Sequence, residues 1–375
     1  MTAGQTGSLR LLVVNTAMGP LGSGAGGGVE ITLESLVAGL LERGHAITVL
    51  AAEGSRLPIS CSDARLWTVA GHPQASAQHR PLEAPVQMPA DGLLQQLWDR
   101  ALEARASFDL ILNLGFDWLP FWLTPHVSPP LFHLVSMGGV DGAVVGCVAR
   151  VARWQQGRLA FHSAAQASDF DLTQAPVIVG NGFDLQRYHC NPDPEALLGW
   201  AGRIAPEKGL EDAAAVASAL GLPLAVWGRL EDPAYAAAVE ASVPAGTLIW
   251  RGFLPTEELQ TQLGRCRVLL NTPKWNEAYG NVVVEAMACG VPVAAYARGG
   301  PGELVQEGCN GSLALPEDGV PGLLAATRRA MAVDRSSCRA WTETHASREA
   351  FAERVERWLH QGLVGAATGS CRTGR

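Results

Sequence analysis

The sequence predicts an α/β protein made of two doubly wound halves, each a parallel sheet with helices on its faces. Three observations carry that expectation. The chain opens on a strand, a glycine-rich loop, a helix and a strand in succession, and a second alternation of short apolar runs and helical stretches begins near Leu197. Between them DLQRYHCNPDP, Asp184 to Pro194, is polar and proline-bearing, the composition of a crossing between domains. At 375 residues the chain also exceeds the usual size of one domain.

Leu9 to Asn15 (LRLLVVN) is short and apolar, the pattern of a buried parallel strand. The loop AMGPLGSGAGGG follows. VEITLESLVAGLLERGH then shows apolar residues at helical spacing, stops near Gly44 and leads into the strand AITVLAA. Gly22, Gly24 and Gly27 fit G-x-G-x-x-G, and Glu53 ends the next strand, as a dinucleotide enzyme requires. The fingerprint starts right at a strand end, however, and six residues separate Asn15 from Gly22.

Arg56 to Pro89 is rich in Pro, Ser and Gln and reads as strand and surface loop. Gly92 to Ser107 reads as a helix, and FDLILNLG as the next buried strand. FDWLPFWLTPH, Phe116 to His126, holds four aromatics and two prolines. It reads either as a core-packed loop or as a wall for a flat-ringed ligand, with Trp118 and Trp122 offering faces and Asp117 accepting from ring N–H groups. PLFHLVSM is a further interior strand. A lone histidine in such a run, His133, is more often a hydrogen-bonded core residue than a catalytic one. Asp169 and Asp171 form an Asp-x-Asp with no other metal ligand nearby in sequence, so no metal is assigned to them.

In the second half LLGWAGRIAPEKGLEDAAAVASAL reads as a strand ending at Arg203, a turn with Pro206 and Lys208, and an alanine-rich helix. Two cations flanking a tight turn at a strand's carboxyl end suit the phosphates of a diphosphate. LPLAVWG, TLIWRGFL and CRVLLNT alternate as strands with helices such as Glu257 to Gly264. WNEAYGNVVVEAMACGVPV, Trp275 to Val293, then reads as loop, short helix, stop and strand. Asn281 is the expected N-cap and Gly290 the left-handed stop, with Pro292 beyond. The amides of Asn281 and Val282 at the helix start suit a phosphate. Glu277 upstream and Glu285 one turn inside place a carboxylate on each side of it, where each accepts sugar hydroxyls. Ser347 to Gln361 is amphipathic, and Gly362 to Arg375 is small and polar, the composition of a disordered tail.

Composition excludes several classes. Hydrophobic residues at 47% and charged residues at 17% describe an ordered, core-rich chain. A net charge of −8 and a pI near 5.6 oppose nucleic-acid or anionic-membrane binding. No apolar run approaches the roughly 18 residues of a spanning helix, and MTAGQTGSLR lacks a signal peptide's apolar region, so a cytoplasmic location is expected. Eight cysteines are scattered without metal-ligand or redox spacing and are expected to be reduced.

Two glutamates separated by seven residues before an Ala-Met-Ala-Cys-Gly-x-Pro-Val run, with Arg203 and Lys208 on their turn, resemble the family 4 glycosyltransferases of the GT-B fold. The resemblance covers roughly Arg10 to Gln361. It implies two Rossmann-like domains facing across a cleft: an acceptor-binding domain over 1–184, a nucleotide-sugar domain over 185–346, and a helix over 347–361 crossing back to the first, before the tail at 362–375. It implies that Glu277 contacts the transferred sugar, Glu285 the ribose, Arg203 and Lys208 the diphosphate, and Gly27 and Gly28 of the glycine loop the donor. Tyr279, Gly280, Asn281 and Val282 fall in the same donor segment. The family places a histidine at a strand end facing the donor sugar, and His133 is the nearest match. A narrower likeness, carried by GPLGSGAGGGVEITL, DWLPFWLTP, GRIAPEKGLEDA and TPKWNEAYGNV, is to members that glucosylate tetrahydrobiopterin from UDP-glucose. That implies a retaining transfer with no cofactor and no metal, an acceptor site at Asp117, Trp118 and Trp122, and small-molecule partners only. Phe183 and Tyr279 depart from the family's usual residues. A dinucleotide-dependent oxidoreductase and a non-catalytic nucleotide-sugar module remain the readings from other classes.

Overall fold

A computed structural model describes residues 7–24, 26–77 and 81–369, and the chain divides into two compact units, Met1–Gly182 with Arg348–Arg375, and Phe183–Ser347. The first unit runs β1 (Arg10–Val14), α1 (Gly28–Glu42), β2 (Ala46–Ala52), β3 (Arg65–Val69), α2 (Leu93–Ala104), β4 (Leu110–Asn113), α3 (Trp118–Leu123), β5 (Leu131–Val135), α4 (Gly142–Gln155), β6 (Leu159–Phe161), α5 (Ala164–Ala167) and β7 (Val177–Ile178). Its parallel sheet has the order β3-β2-β1-β4-β5-β6-β7. The apolar run of β1 is explained by burial on both faces. Leu11 and Val13 pack with α1, whereas Leu12 and Val14 pack with Leu97 and Trp98 of α2, the period-two alternation of a central strand.

The second unit runs β8 (Leu198–Ala201), α6 (Leu210–Leu220), β9 (Leu224–Trp227), α7 (Pro233–Ala241), β10 (Leu248–Gly252), α8 (Thr256–Arg265), β11 (Val268–Asn271), α9 (Asn281–Ala288), β12 (Val293–Tyr296), α10 (Gly300–Leu304), β13 (Gly311–Ala314), α11 (Gly319–Ala330) and α12 (Arg335–His345). Its parallel sheet has the order β10-β9-β8-β11-β12-β13. Each sheet therefore reverses its winding once, beside β1 in the first unit and beside β8 in the second. The carboxyl ends of the strands at those reversals are where ligands bind in doubly wound folds.

The chain returns to the first unit through α13 (Arg348–Gly369), whose Phe351, Val355, Trp358 and Leu359 join the core around Leu11 and Val13. Residues 362–369, expected as disordered tail, continue this helix. The reason is close packing: a Cβ on Gly362 would lie 2.3 Å from the Phe132 ring, so glycine lets the helix seat against β5. Residues 370–375 of that expected tail lie outside the described residues. His45, Glu356 and His360 bring metal-ligating atoms together where α13 meets the α1–β2 turn. Arg43 donates to Glu356, and the Leu9 N–H donates to His45 Nδ1 at 3.1 Å, which leaves the proton of a neutral ring on Nε2, 3.0 Å from Glu356. That arrangement is a hydrogen-bonded helix anchor.

Three local outcomes differ from expectation. The aromatic segment Phe116 to His126 forms the short helix α3, because Asp117 accepts the Trp118 N–H as its N-cap. Helix α4 has no counterpart among the expected elements; Asp141 caps it, and Val144, Val148, Val151 and Ala152 form its buried stripe. The N-cap of α9 is Gly280, not Asn281. The loop enters the helix through φ +97°, which a residue with a Cβ adopts only at a cost, and Asn281 becomes the first helical residue. Gly290 takes φ +74° just after the helix, as the sequence predicts. Among the described residues no helix is long and apolar enough to cross a membrane.

Candidate active site

In the second unit, the turn after β8 and the loop after β11 are laced together at the winding reversal. Thr272 Oγ1 donates to the Lys208 carbonyl at 3.0 Å and accepts the Trp200 indole N–H at 3.1 Å, while the Lys274 amide donates to the Glu207 carbonyl at 2.8 Å. Gly209 between Lys208 and α6 is left-handed, and a Cβ there would lie 2.1 Å from the Thr272 carbonyl oxygen. This lacing sets the Arg203–Lys208 turn against the loop that carries Trp275 and Glu277. Behind that loop the Gly300 amide donates to the Glu277 carbonyl at 2.7 Å.

The side chains form one charged cluster. Lys208 donates to Glu277 Oε2, and the Trp275 indole N–H donates to the same oxygen at 3.0 Å. The Lys208 ammonium lies 4.8 Å and the Arg203 guanidinium 5.7 Å from the Trp275 ring centre. Arg203 is held at 2.8 Å by Glu207 and at 2.6 Å by Glu231. Burial pushes the Glu277 carboxyl up, but Lys208, Trp275 and Arg203 outweigh it and hold the group below the usual carboxylate range. Both cations predicted to grip a diphosphate are thus already neutralised by carboxylates. An anion that pairs with either cation here has to displace Glu207, Glu231 or Glu277 from it.

Glu285 lies inside α9, 6% exposed, and Oε1 accepts the Tyr188 hydroxyl at 3.2 Å. Burial raises its carboxyl to about 7, opposed by the Tyr188 bond and by Arg187. Tyr188 is fixed by Arg339 of α12, which donates to its carbonyl at 2.8 Å and to that of Ala288 at 2.9 Å. Asn281 and Val282 are the first two residues of α9. Tyr279 is buried beside them with its backbone pressed against Gly300. Trp275 and Tyr188 are functional candidates that sequence reasoning missed. Trp275 stands two residues before Glu277 in the same loop, and that proximity in sequence is the signal that could have found it; nothing local in the sequence signals Tyr188.

In the first unit the reversal holds a pocket lined by Thr16 and Ala17 after β1, Phe116 and Asp117 after β4, Ser136 and Met137 after β5, and Gln74 and Ser76 from the loop after β3. His133 is not there. It sits in the middle of β5, fully buried, stacked on Phe121 with ring centres 4.3 Å apart. Asn113 Nδ2 donates to Nδ1 at 3.1 Å, so the ring carries its proton on Nε2 and donates to Thr124 Oγ1 at 2.7 Å, which donates to the Pro120 carbonyl at 3.0 Å. Burial lowers its pKa to about 3. A neutral, fully satisfied core histidine does not face substrate, and the expectation that it does is corrected. The residue at the strand's exit is Ser136.

Asp117 lines the pocket, whereas Trp118 and Trp122 do not. Trp118 packs beside Phe116 and Phe121, and Trp122 is 42% exposed against His126 and Arg150. Gly27 is left-handed at the start of α1 and Gly28 opens the helix; Glu30 folds back to accept from the amides of Gly22 at 3.0 Å and Gly26 at 2.9 Å. Asp169 accepts the Gly139 amide at 2.9 Å and Asp171 pairs with Arg153, so the two carboxylates serve separate partners.

Residues 195–332 match the family model for glycosyl transferases group 1. Among curated proteins, the 2-deoxystreptamine N-acetyl-D-glucosaminyltransferase of Streptomyces fradiae is 33% identical over 185 residues, 47% of this chain and 41% of the relative. A GDP-mannose-dependent alpha-mannosyltransferase of Mycolicibacterium smegmatis is 34% identical over 129 residues, 34% of this chain and 32% of the relative. The chain thus spans less than half the length of the curated relatives it matches. Among solved structures, the sucrose-phosphate synthase of Thermosynechococcus elongatus superposes with TM-score 0.74 at 19% identity, covering 95% of this chain and 99% of that one. A glycosyltransferase involved in avilamycin A biosynthesis gives 0.69 at 23%, covering 95% and 98%. Anabaena HepE in complex with UDP gives 0.69 at 18%, covering 94% and 100%. The fold is GT-B, and the second unit is similar to the glycosyl transferases group 1.

Proposed function

We propose that the protein is a retaining glycosyltransferase that moves glucose from UDP-glucose to a hydroxyl of a small acceptor, a reduced pterin of the tetrahydrobiopterin type, giving an α-glucoside. The observation that carries the transferase reading is the charged cluster at the second sheet's reversal: Arg203 and Lys208 on one turn, Glu277 within reach of Lys208, and Glu285 inside the following helix. Arg203, Lys208 and the start of α9 stabilise charge on the leaving diphosphate as the glycosidic bond breaks. Glu277 orients the sugar and Glu285 the ribose. The acceptor hydroxyl attacks from the face the diphosphate leaves, and a leaving phosphate oxygen takes its proton. The cationic grip does the work of a divalent ion, so activity in excess EDTA is expected to persist. The donor and acceptor identities rest on the narrower sequence likeness and on the pocket lined by Asp117 and Phe116 in the first unit.

A second acceptor class is favoured by a specific observation: relatives from Streptomyces fradiae and Streptomyces kanamyceticus are named as 2-deoxystreptamine glycosyltransferases, the latter 39% identical over 115 residues. Thermal shift with UDP-, GDP- and ADP-sugars identifies the donor, since ligand at about 100 times its Kd stabilises by about 2.7 kcal/mol. Incubation with that donor and either tetrahydrobiopterin or 2-deoxystreptamine, followed by mass spectrometry, identifies the acceptor. Hexose on the pterin supports the proposal; turnover of the aminocyclitol alone replaces its acceptor half and leaves the transferase half standing.

A further inference from the structure

We propose that the second unit carries an anion site separate from the charged cluster, a cavity of about 210 Å³ at the carboxyl ends of β11, β12 and β13 that takes a compact ligand bearing a phosphate group. Asp212 of α6, Lys274 after β11, Tyr296 and Arg298 at the end of β12, and Gly319 and Val320 at the entry to α11 line it. Arg203, Lys208 and Glu277 do not. The guanidinium of Arg298 carries the inference. Among the described residues it makes one hydrogen bond, from Nη1 to the Pro273 carbonyl at 3.1 Å, and no ion pair. By contrast Arg203, Arg265 and Arg329 of the same unit each pair with a carboxylate. A half-buried guanidinium with N–H donors left over, lining a cavity, presents the planar fork that matches phosphate oxygens.

The charges around the cavity favour an anion. Lys274 adds a second cation. It donates to Asp212 and lies 3.4 Å from Glu211, whose carboxylate also accepts the Tyr235 hydroxyl. Asp212, the one carboxylate in the lining, accepts the Tyr296 hydroxyl at 2.7 Å on the oxygen that Lys274 holds. Glu317 and Asp318 before α11 are exposed and do not line the cavity. An anion therefore reaches Arg298 without displacing a carboxylate from it, whereas one entering the charged cluster must compete with Glu207, Glu231 or Glu277. The amino end of the 12-residue α11 borders the same space and adds a favourable dipole. Pockets for drug-sized ligands start at about 300 Å³, so the occupant is smaller, inorganic phosphate or a phosphomonoester of a few carbons. Arg298 holds the Pro273 carbonyl, and so the site touches the loop that carries Trp275 and Glu277. None of this depends on the transferase reading.

The test titrates the full chain with inorganic phosphate and with glycerol 3-phosphate, at ionic strength matched with chloride, and reads calorimetric Kd and unliganded Tm. Phosphate can also meet Lys208 in the charged cluster, so every titration is repeated with Lys208→Ala. We expect saturable binding that persists in Lys208→Ala, with Kd raised about ten- to a hundredfold when Arg298→Gln is added. Val320→Glu leaves Arg298 in place and sets a carboxylate at the cavity wall. It should raise Kd about tenfold or more at unchanged unliganded Tm. Tighter binding of glycerol 3-phosphate supports the site and identifies an organic phosphomonoester as its ligand; equal binding supports it and identifies free phosphate. Binding lost in Lys208→Ala and kept in Arg298→Gln overturns the proposal, as does a response that never saturates. If Arg298→Gln fails to fold, undiminished affinity in Val320→Glu overturns it alone. A chain that binds phosphate here but no nucleotide sugar loses the transferase reading and keeps this site.

Discussion

The two sheets gather loops at equivalent places, the strand ends beside a winding reversal, yet they fill those places with opposite materials. In the second unit Arg203 and Lys208 are already paired with three carboxylates, Glu207, Glu231 and Glu277, before any ligand arrives. In the first, hydroxyls and apolar side chains leave hydrogen-bonding capacity unmet. The difference concerns how binding energy is obtained. An anionic ligand in the charged cluster gains only the difference between its contacts and those of the carboxylates it displaces. The first unit's pocket is small and lined almost entirely by uncharged side chains, so what it offers is shape and neutral contacts rather than an exchange of charges.

Removing the cations should break this comparison most sharply. A charge-assisted hydrogen bond is worth about 1.5 to 3 kcal/mol, so Arg203→Ala and Lys208→Ala are each expected to lower kcat/KM about ten- to a hundredfold. Lys208→Ala should be the worse, because Glu277 then loses the largest influence opposing its burial. Steady-state kinetics on variants of unchanged Tm checks this; equal kinetics in wild type and both variants removes the cluster from the reaction.

The next effect is on stability and belongs to the first unit. His133→Leu leaves Asn113 Nδ2 and Thr124 Oγ1 without their ring partner, and the expected loss is about 2 to 4 kcal/mol by denaturant unfolding, with kcat/KM of the folded variant within about threefold of wild type. The sign of the pH dependence follows from the depressed pKa. The neutral ring's full contribution is present above the unfolded pKa near 6.5 and is lost progressively as pH falls toward about 3. His162, lowered to about 4 by burial, acts in the same direction. Tm of the wild type should therefore drop between pH 6.5 and 4, and His133→Leu should flatten that slope. A variant that keeps its stability and loses turnover would return His133 to the reaction.

These two regions also show why one site was legible in the sequence and the other was not. The charged site is encoded locally. Arg203 and Lys208 share a turn and Glu277 and Glu285 flank one helix start, so spacing alone nearly fixes their relation. The alternation of strands and helices was legible for the same reason, each β-strand being one apolar run. The pocket of the first unit is assembled from four separate loops, and serine and glutamine there look like any loop residues. His133 misled because a strand's registration was needed to show that it lies three residues before Ser136 at the exit, inside the core. Asn281 misled because the cap position required a left-handed backbone rather than a capping side chain, and the glycine beside it met that requirement.

Tyr188→Phe tests whether the buried carboxylate of the second unit is tuned from outside the motif. The substitution keeps the ring's contact with Phe183 and removes the hydroxyl from Glu285. Donor KM is expected to rise about three- to tenfold with kcat less affected. On the proposed role of Glu285 toward the ribose, the ionised carboxylate is the form that accepts from its hydroxyls, so donor affinity should strengthen as pH rises through about 7. Loss of the Tyr188 bond removes an influence that lowers this pKa, so the limb moves to higher pH in the variant. A pH profile that superposes on wild type would make Tyr188 a packing residue only.

The smallest effect separates two roles of one side chain. Trp275 donates its indole N–H to Glu277 and offers its ring face to Arg203 and Lys208. Trp275→Phe keeps a face and removes the donor, whereas Trp275→Leu removes both. Because Lys208 remains on the same Glu277 oxygen, the loss of the indole bond is expected to be about 1 kcal/mol, roughly fivefold in kcat, with donor KM nearly unchanged. Leucine should add a rise in donor KM of about two- to fivefold, since each cation–π contact at a partly exposed site contributes about 0.5 to 1 kcal/mol to holding its cation in place. Kinetics of the two variants at saturating acceptor distinguishes the contributions. If phenylalanine and leucine behave alike, the ring contributes nothing to placing the cations, and their arrangement follows from the carboxylates of Glu207, Glu231 and Glu277 alone.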